Sequence, residues 1–280
     1  MPDTAKTGAD AGRNEAILLR DDRDGICTLT LNRPDKYNAL STSLMAAMQA
    51  ELDALKDDAS VRVVVLAARG RAFCAGHDLA EMKAMQGREP VEALFRQCSR
   101  MMVSLTQIPQ PVIARVQGVA TAAGCQLVAQ CDLAVAASDV RFATSGINLG
   151  LFCATPMVAV TRNLPRKQAL EMLYTGDFIN AETARDYGLV NRVVPAEFLD
   201  RAVADLAGAI AAKSPTAIAA GKALFYRQIE TGLEGAYDLA TETITANMLH
   251  QDAQGGVGAF LDKLPMPEWA ARGADKDQSE

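Results

Sequence analysis

Residues 111–151 read PVIARVQGVATAAGCQLVAQCDLAVAASDVRFATSGINLGL. The opening "PVIARV" is a short apolar run bounded by proline and glycine, which predicts a buried strand rather than a helix. "GVATAAGCQL" is a turn of small residues leading into a short apolar helix, "GCQLVAQ". "DLAVAAS" is a further strand, and "FATSGINLG" (142–150) is a loop that follows it. Strand, tight turn, helix and strand in that order predict an α/β fold. Small residues at such a turn let a ligand approach the backbone. The start of a helix offers unpaired N–H groups and the positive end of its dipole.

The loop 142–150 stands where many enzymes place an acid or a base, yet it holds no carboxylate, histidine or lysine. A second glycine-bearing loop, "RGRAFCAGHDL", follows the buried strand "VRVVVLAA" upstream. Two small-residue turns side by side could aim two N–H donors at one oxygen, an oxyanion hole suited to an enolate or a tetrahedral anion. Strand–small residue–helix turns are common, so spacing alone specifies this weakly.

Further out, "GICTLTLNRP" predicts a strand ending at Pro34. Leu44, Met48, Leu52 and Leu55 form one helical stripe capped by Ser41. Residues 90–105 predict a helix stopped at Ile108-Pro109. "NAETARDYG" is a helix with an Asn180 cap and a Gly188 stop, and "LVNRVV" is a strand. From Glu197 the pattern is helical only. The "GGVG" at 255–258 reads as a helix junction. The expected organisation is a disordered 1–14, an α/β core over 15–196, a helical region over 197–265, and a tail, 266–280.

Composition narrows the function classes. The chain has 280 residues, 49% of them hydrophobic and 22% charged, as in globular proteins. A net charge of −6 argues against nucleic acid or an anionic membrane as partner. No apolar run is long enough to span a membrane, and no secretory leader is evident; the expected location is cytoplasmic. The six cysteines, Cys27, Cys74, Cys98, Cys125, Cys131 and Cys153, form no metal-binding spacing. Reduced thiols that behave as small hydrophobes are expected, and no metal.

The chain resembles the enoyl-CoA hydratase/isomerase, or crotonase, superfamily. The carrying segments are "LNRPDKYNAL" (31–40), "RAFCAGHDL" (71–79), the 111–151 stretch, and "GDFINAETARDYGLVNRVVP" (176–195). "FATSGINLGLFCATP" and "PRKQALEMLYTG" are most similar to one subgroup of it. The resemblance implies a crotonase-type spiral of β-β-α turns with a C-terminal helical trimerisation region, assembled as a homotrimer or a dimer of trimers. It implies an acyl-CoA thioester as substrate, coenzyme A entering only as part of that thioester. The thioester carbonyl would sit between the backbone N–H groups of His77 and Ala123. Lys36, Asn38 and Leu40 would line the coenzyme cleft, with Ala75 and Gly76 against the pantetheine or adenine end and Asp78 and Leu79 beside them. Phe260 and Lys263 would reach a nucleotide from the same or a neighbouring subunit.

The chain departs from this pattern at two places. The positions of the usual catalytic glutamates are Gln126 and Gly146, so both carboxylates are absent. A general acid or base is worth roughly 10²–10⁴ in rate. Three readings follow: an enoyl-CoA enzyme with weak hydration, an acyl-CoA binding protein with little turnover, or a different crotonase-type reaction such as thioester hydrolysis using His77, a cysteine or a substrate group.

Overall fold

The computed structural model describes residues 16–273; the terminal segments for which disorder and part of the tail were expected lie outside them. Leu18–Arg23 (β1) and Ile26–Leu31 (β2) form a hairpin. Asp24 and Gly25 join them at φ 51° and 76°, the two positive φ values of a two-residue turn whose twist suits paired strands. β2 then pairs in parallel with Val63–Ala68 (β3). All six residues of β3 are buried, as expected of a central parallel strand covered on both faces.

The chain then repeats one pattern. A long strand joins the first sheet, a short strand joins a second sheet, and helix follows. β3 leads to Ala72–Cys74 (β4), Val112–Val116 (β5) to Val119–Thr121 (β6), and Leu133–Ala137 (β7) to Arg141–Ala143 (β8). Ile179–Asn180 (β9) and Arg192–Val194 (β10) complete the two sheets. Their orders are β1-β2-β3-β5-β7-β10 and β4-β6-β8-β9. This is the β-β-α spiral.

The helices before β10 are Thr42–Asp57 (α1), Leu79–Ala84 (α2), Arg88–Gln107 (α3), Ala123–Gln130 (α4), Ala154–Val160 (α5), Arg166–Thr175 (α6) and Ala181–Asp186 (α7). The Ser41 hydroxyl accepts the Leu44 N–H at 3.1 Å, and the predicted stripe of α1 is buried. Asn180 caps α7 by accepting the Thr183 N–H at 2.8 Å. A Cβ on Gly124 would come within 2.0 Å of the Cys74 carbonyl. Glycine there lets α4 lie directly on the end of β4, which brings the two predicted turns together.

Leu199–Ala211 (α8), Pro215–Gln228 (α9), Leu233–Leu249 (α10) and Gln251–Leu261 (α11) form the C-terminal helical layer. The "GGVG" stretch is inside α11, not at a junction; the break falls at His250, which caps that helix. Gly256 faces the Trp269 ring, 3.1 Å from where its Cβ would lie, so packing explains a glycine that local propensity does not.

Candidate active site

Leu40 makes an isolated parallel bridge to His77. Its N–H donates to the Gly76 carbonyl at 2.7 Å, and its own carbonyl accepts the Asp78 N–H at 3.2 Å. The groups facing Leu40 therefore belong to residues 76 and 78, so the His77 N–H points to the opposite side. The Ala75 N–H donates to the Tyr37 carbonyl at 3.0 Å. Segment 37–40 thus straps the loop from Ala75 to Asp78 through main-chain bonds.

Asn38 makes that strap rigid. Its Oδ1 accepts the Arg33 N–H at 2.9 Å, and its Nδ2 donates to the Arg69 and Ala72 carbonyls at 2.8 and 2.9 Å. The residues expected to line the coenzyme cleft differ in burial. The side chains of Asn38 and Leu40 are both 0% exposed and serve the fold. Lys36 is exposed, at the end of a 3-10 turn over Pro34–Lys36. Ala75 and Leu79 are exposed and Gly76 is buried.

Ala123 is the first residue of α4, so its N–H has no partner within the helix. The preceding Ala122 adopts φ 51° and ψ −120°, a conformation suited to glycine. Its N–H donates to the Ala143 carbonyl at 3.0 Å, which ties it to β8. Gly76, at φ 99°, abuts this turn: a Cβ there would lie 3.0 Å from the Ala122 Cβ and 3.4 Å from the Ala123 nitrogen. The two loops touch, and neither the His77 nor the Ala123 N–H has an acceptor among the described residues. A helix start with an adjacent unused amide is a site for a partial or full negative charge.

Asp78 caps α2 by accepting the N–H groups of Ala80 and Glu81 at 3.2 and 3.4 Å. Arg33 pairs with it at 3.1 Å and also donates to the Ala39 carbonyl at 2.6 Å. Burial pushes the Asp78 carboxyl up, but the Arg33 bond and the α2 amides outweigh it and hold the group below its ordinary value. Asp78 therefore carries no proton to donate near neutral pH. Arg33 was not foreseen from the sequence; its arginine type alone gives no signal of that contact.

Both ring nitrogens of His77 are buried without a partner, and the ring meets Phe95 edge-on, centroids 5.4 Å apart. Burial pushes the imidazole below its usual value, and the nearby Leu40 backbone opposes this only in part. Between the folded value and the unfolded value near 6.5, the unfolded chain binds a proton that the folded chain refuses. Stability should therefore fall as pH drops below about 6.5, with a slope of at most about 1.4 kcal/mol per pH unit. Denaturant midpoints for His77→Phe should lack that component. An unchanged slope in the variant would remove His77 from the account.

Gln126 lies one turn beyond Ala123 on α4. It is 3% exposed, and its Oε1 has no hydrogen-bond partner. Its helix face lines a cleft of about 870 Å³ between α3, α4, α5 and α9. Gly146 sits in a 3-10 turn over Ser145–Leu149. A Cβ on it would come within 2.7 Å of the Leu151 carbonyl and 2.9 Å of the Cys153 Sγ. The Leu151 N–H donates back to the Gly146 carbonyl at 3.0 Å. The loop has closed over the place a side chain would need. Ser145 and Thr121 share a hydroxyl–hydroxyl bond of 2.6 Å across the two loops. Thr144 is buried, donating to the Met172 carbonyl at 2.6 Å.

The thiols are inert by environment. All six are free and buried. Burial, with a small contribution from Cys153, pushes Cys125 up to about 12, and burial raises Cys153 despite the Gly146 backbone. Neither offers a thiolate at neutral pH. Phe260 is 72% exposed on α11, grouped with Met266 and Trp269 around a cleft of about 420 Å³ that includes neither His77 nor Ala123. Lys263 lies just beyond α11, exposed, at φ 55°. Within one chain these two are not gathered with the loop pair.

The spiral, the touching turns and the amide pair define a family, and the chain belongs to it: the enoyl-CoA hydratase/isomerase family model matches residues 21–272. The chain is 42% identical over 248 residues to enoyl-CoA hydratase domain-containing protein 3, mitochondrial, of Rattus norvegicus, covering 89% of this chain and 82% of that protein. It is similar to a crystal structure of enoyl-CoA hydratase from Mycobacterium smegmatis, with 55% identity, TM-score 0.90, and coverage of 91% of this chain and 99% of that one. The human domain-containing protein 3 structure is 41% identical with TM-score 0.88, covering 90% and 100%. The name of the rat relative places that protein in mitochondria, which lends no support to the cytoplasmic expectation. Among the described residues no helix is long and apolar enough to cross a membrane.

Proposed function

We propose that this chain acts on acyl-CoA or enoyl-CoA thioesters, with the His77 and Ala123 N–H groups forming an oxyanion hole. The observation that carries the reading is that these amides are unused and sit on abutting loops. A thioester carbonyl accepting both bonds would gain most when it becomes an enolate, because fixed donors stabilise charge as it develops. Proton transfer is the weak part of the chemistry. Gln126 has an amide, which neither gives nor takes a proton at neutral pH. Asp78 is engaged by Arg33, and the thiols near the loops stay protonated.

A second reading, acyl-thioester binding with little turnover, is favoured by the closed seat at Gly146. Thioester hydrolysis through a cysteine is disfavoured by the raised thiols. Assembly as a trimer or a dimer of trimers is supported by apolar side chains exposed on the C-terminal helices, among them Leu233 and Leu249 at 75% and 74%; light scattering tests it.

The deciding experiment follows the ultraviolet absorbance of crotonyl-CoA, which hydration removes, beside calorimetry of the same ligand. The expected result is binding with hydration at least about 10²-fold below that of an enzyme with both glutamates. Hydration at the full rate would overturn the claim that the replaced carboxylates matter. Absence of binding by any acyl-CoA would overturn the thioester reading itself.

A further inference from the structure

We infer that Arg33 is a positioning residue for the oxyanion hole: it heads a relay of two hydrogen-bonded peptide groups that ends on the His77 N–H and strengthens that donor toward an enolate. This rests on the acyl-thioester reading above and concerns how one of its two donors is polarised. The starting observation is an asymmetry between the donors. Ala123 is the first residue of the eight-residue helix α4, so the helix dipole acts along its N–H. His77 lies outside any helix, one residue before the Asp78 cap of α2. The Asp78 carboxylate beside it works against a developing negative charge. The His77 amide therefore needs another source of positive potential.

The main chain supplies a route to one. In a trans peptide group the C=O and N–H point in opposite directions. The Gly76 carbonyl and the His77 N–H belong to one such group, and the Ala39 carbonyl and the Leu40 N–H to another. Leu40 donates to the Gly76 carbonyl at 2.7 Å. The Ala39 carbonyl behind it accepts Nη1 of Arg33 at 2.6 Å. The order is guanidinium, peptide 39–40, peptide 76–77 and then the ligand oxygen, each peptide accepting at its oxygen and donating from its nitrogen. Bonds in such a chain polarise one another by about 10–30% each, and a cation at the head makes the first of them charge-assisted.

The cation is held for this task. The second arm of its fork, Nη2, meets Asp78 at 3.1 Å, and the two side chains are 18% and 15% exposed. That pairing also offsets the carboxylate beside the hole. The Arg33 N–H donates to Asn38 Oδ1 at 2.9 Å, and the Arg33 carbonyl accepts the Lys36 and Asn38 N–H groups at 3.0 and 2.9 Å. The residue that carries the charge is thus tied into the strap it polarises. A mere brace would fix the loop equally for every ligand. A polarising relay favours the ligand whose oxygen is charged.

The test uses the full chain and two ligands that differ in the charge on the carbonyl oxygen. Butyryl-CoA stays neutral. Acetoacetyl-CoA has an acidic C2–H and forms an enolate without a protein base, so its absorbance at fixed pH reads the fraction ionised when bound. Calorimetry gives both affinities, and butyryl-CoA isotope-labelled at the thioester carbonyl gives the infrared stretch of the bound C=O. In the unaltered chain that band should lie below its position in water. Arg33→Met should lose about 10–30% of the displacement. It should also lower the affinity for acetoacetyl-CoA relative to butyryl-CoA about three- to tenfold, with the ionised fraction falling in step. Arg33→Lys keeps a cation at the head of the relay and should retain most of both effects. Should Arg33→Met fail to fold, Arg33→Gln, which keeps a neutral donor, should show the same fall in the affinity ratio. An unchanged ratio in a folded Arg33→Met or Arg33→Gln chain, even with both ligands weakened together, would overturn the inference while leaving the thioester reading intact. So would a loss in Arg33→Lys as large as that in Arg33→Met. Binding of neither ligand by the unaltered chain would overturn both.

Discussion

Gly146→Glu is expected to lower stability by about 3 kcal/mol and to restore no hydration, alone or with Gln126→Glu. From sequence position alone the opposite follows, since a glutamate at 146 completes the family's pair of acids. The geometry reverses that expectation. The first side-chain atom would already meet the Leu151 carbonyl at 2.7 Å and the Cys153 Sγ at 2.9 Å. The first of these is backbone, fixed by the Leu151 N–H bond to Gly146, so the loop must move rather than a rotamer. Overpacking of this kind costs about 1–3 kcal/mol and occasionally more. The decisive companion is Gly146→Ala, which adds only the offending atom. It should lose nearly as much as the glutamate variant in thermal or denaturant unfolding. A neutral alanine variant, or a glutamate double variant that folds and hydrates crotonyl-CoA, would show that the loop can reopen.

How much of this was readable in advance differs from element to element. The Ser41 cap, the α1 stripe and the Asn180 cap were legible because a cap and its helix lie within a few residues of each other. The second sheet was not. Its strands, such as Ala72–Cys74 and Ile179–Asn180, are two or three residues long, too short to show an alternation, and "RAFCAG" reads simply as loop. Gly256 of α11 was misread because its reason, the Trp269 ring, lies elsewhere in the chain. At the site, spacing suggested a pair of donors and the family resemblance chose His77 and Ala123. What neither could supply was the main-chain strap from Leu40 or the carbonyl of Leu151 lying over Gly146. Main-chain groups carry no residue-type signature, so contacts made by them are invisible until the fold is known.

A tertiary contact of the same hidden kind controls the far wall of the cleft. Lys222→Met should cost about 3–5 kcal/mol, the usual penalty for removing one partner of a buried ion pair. Lys222, on α9, donates to the Leu105 and Gln110 carbonyls at 2.8 Å each and to Asp132 at 2.7 Å, so all three of its protons are used. Burial pushes the ammonium below its usual value and Asp132 pulls it back. Asp132 also accepts the Val112 N–H at 2.7 Å and the Tyr226 hydroxyl at 2.8 Å. The variant leaves a partly buried carboxylate short of its cation and two carbonyls short of their donor, which methionine cannot replace. Because Phe225 and Tyr226 on the same helix line the cleft together with Gln126, the loss should be felt there first. Hydrogen exchange should accelerate in α9 before the sheet. The single tryptophan, Trp269, whose indole N–H donates to the Ala212 carbonyl at 2.9 Å, should report loosening of the helical layer at lower denaturant than the unaltered chain. Adding Asp132→Asn should cost much less than that change does alone, since the two residues share one interaction. A Lys222→Met penalty below about 1 kcal/mol, outside the range for a broken buried pair, would mean that α9 is held by its apolar contacts and that the cleft wall does not depend on this charge.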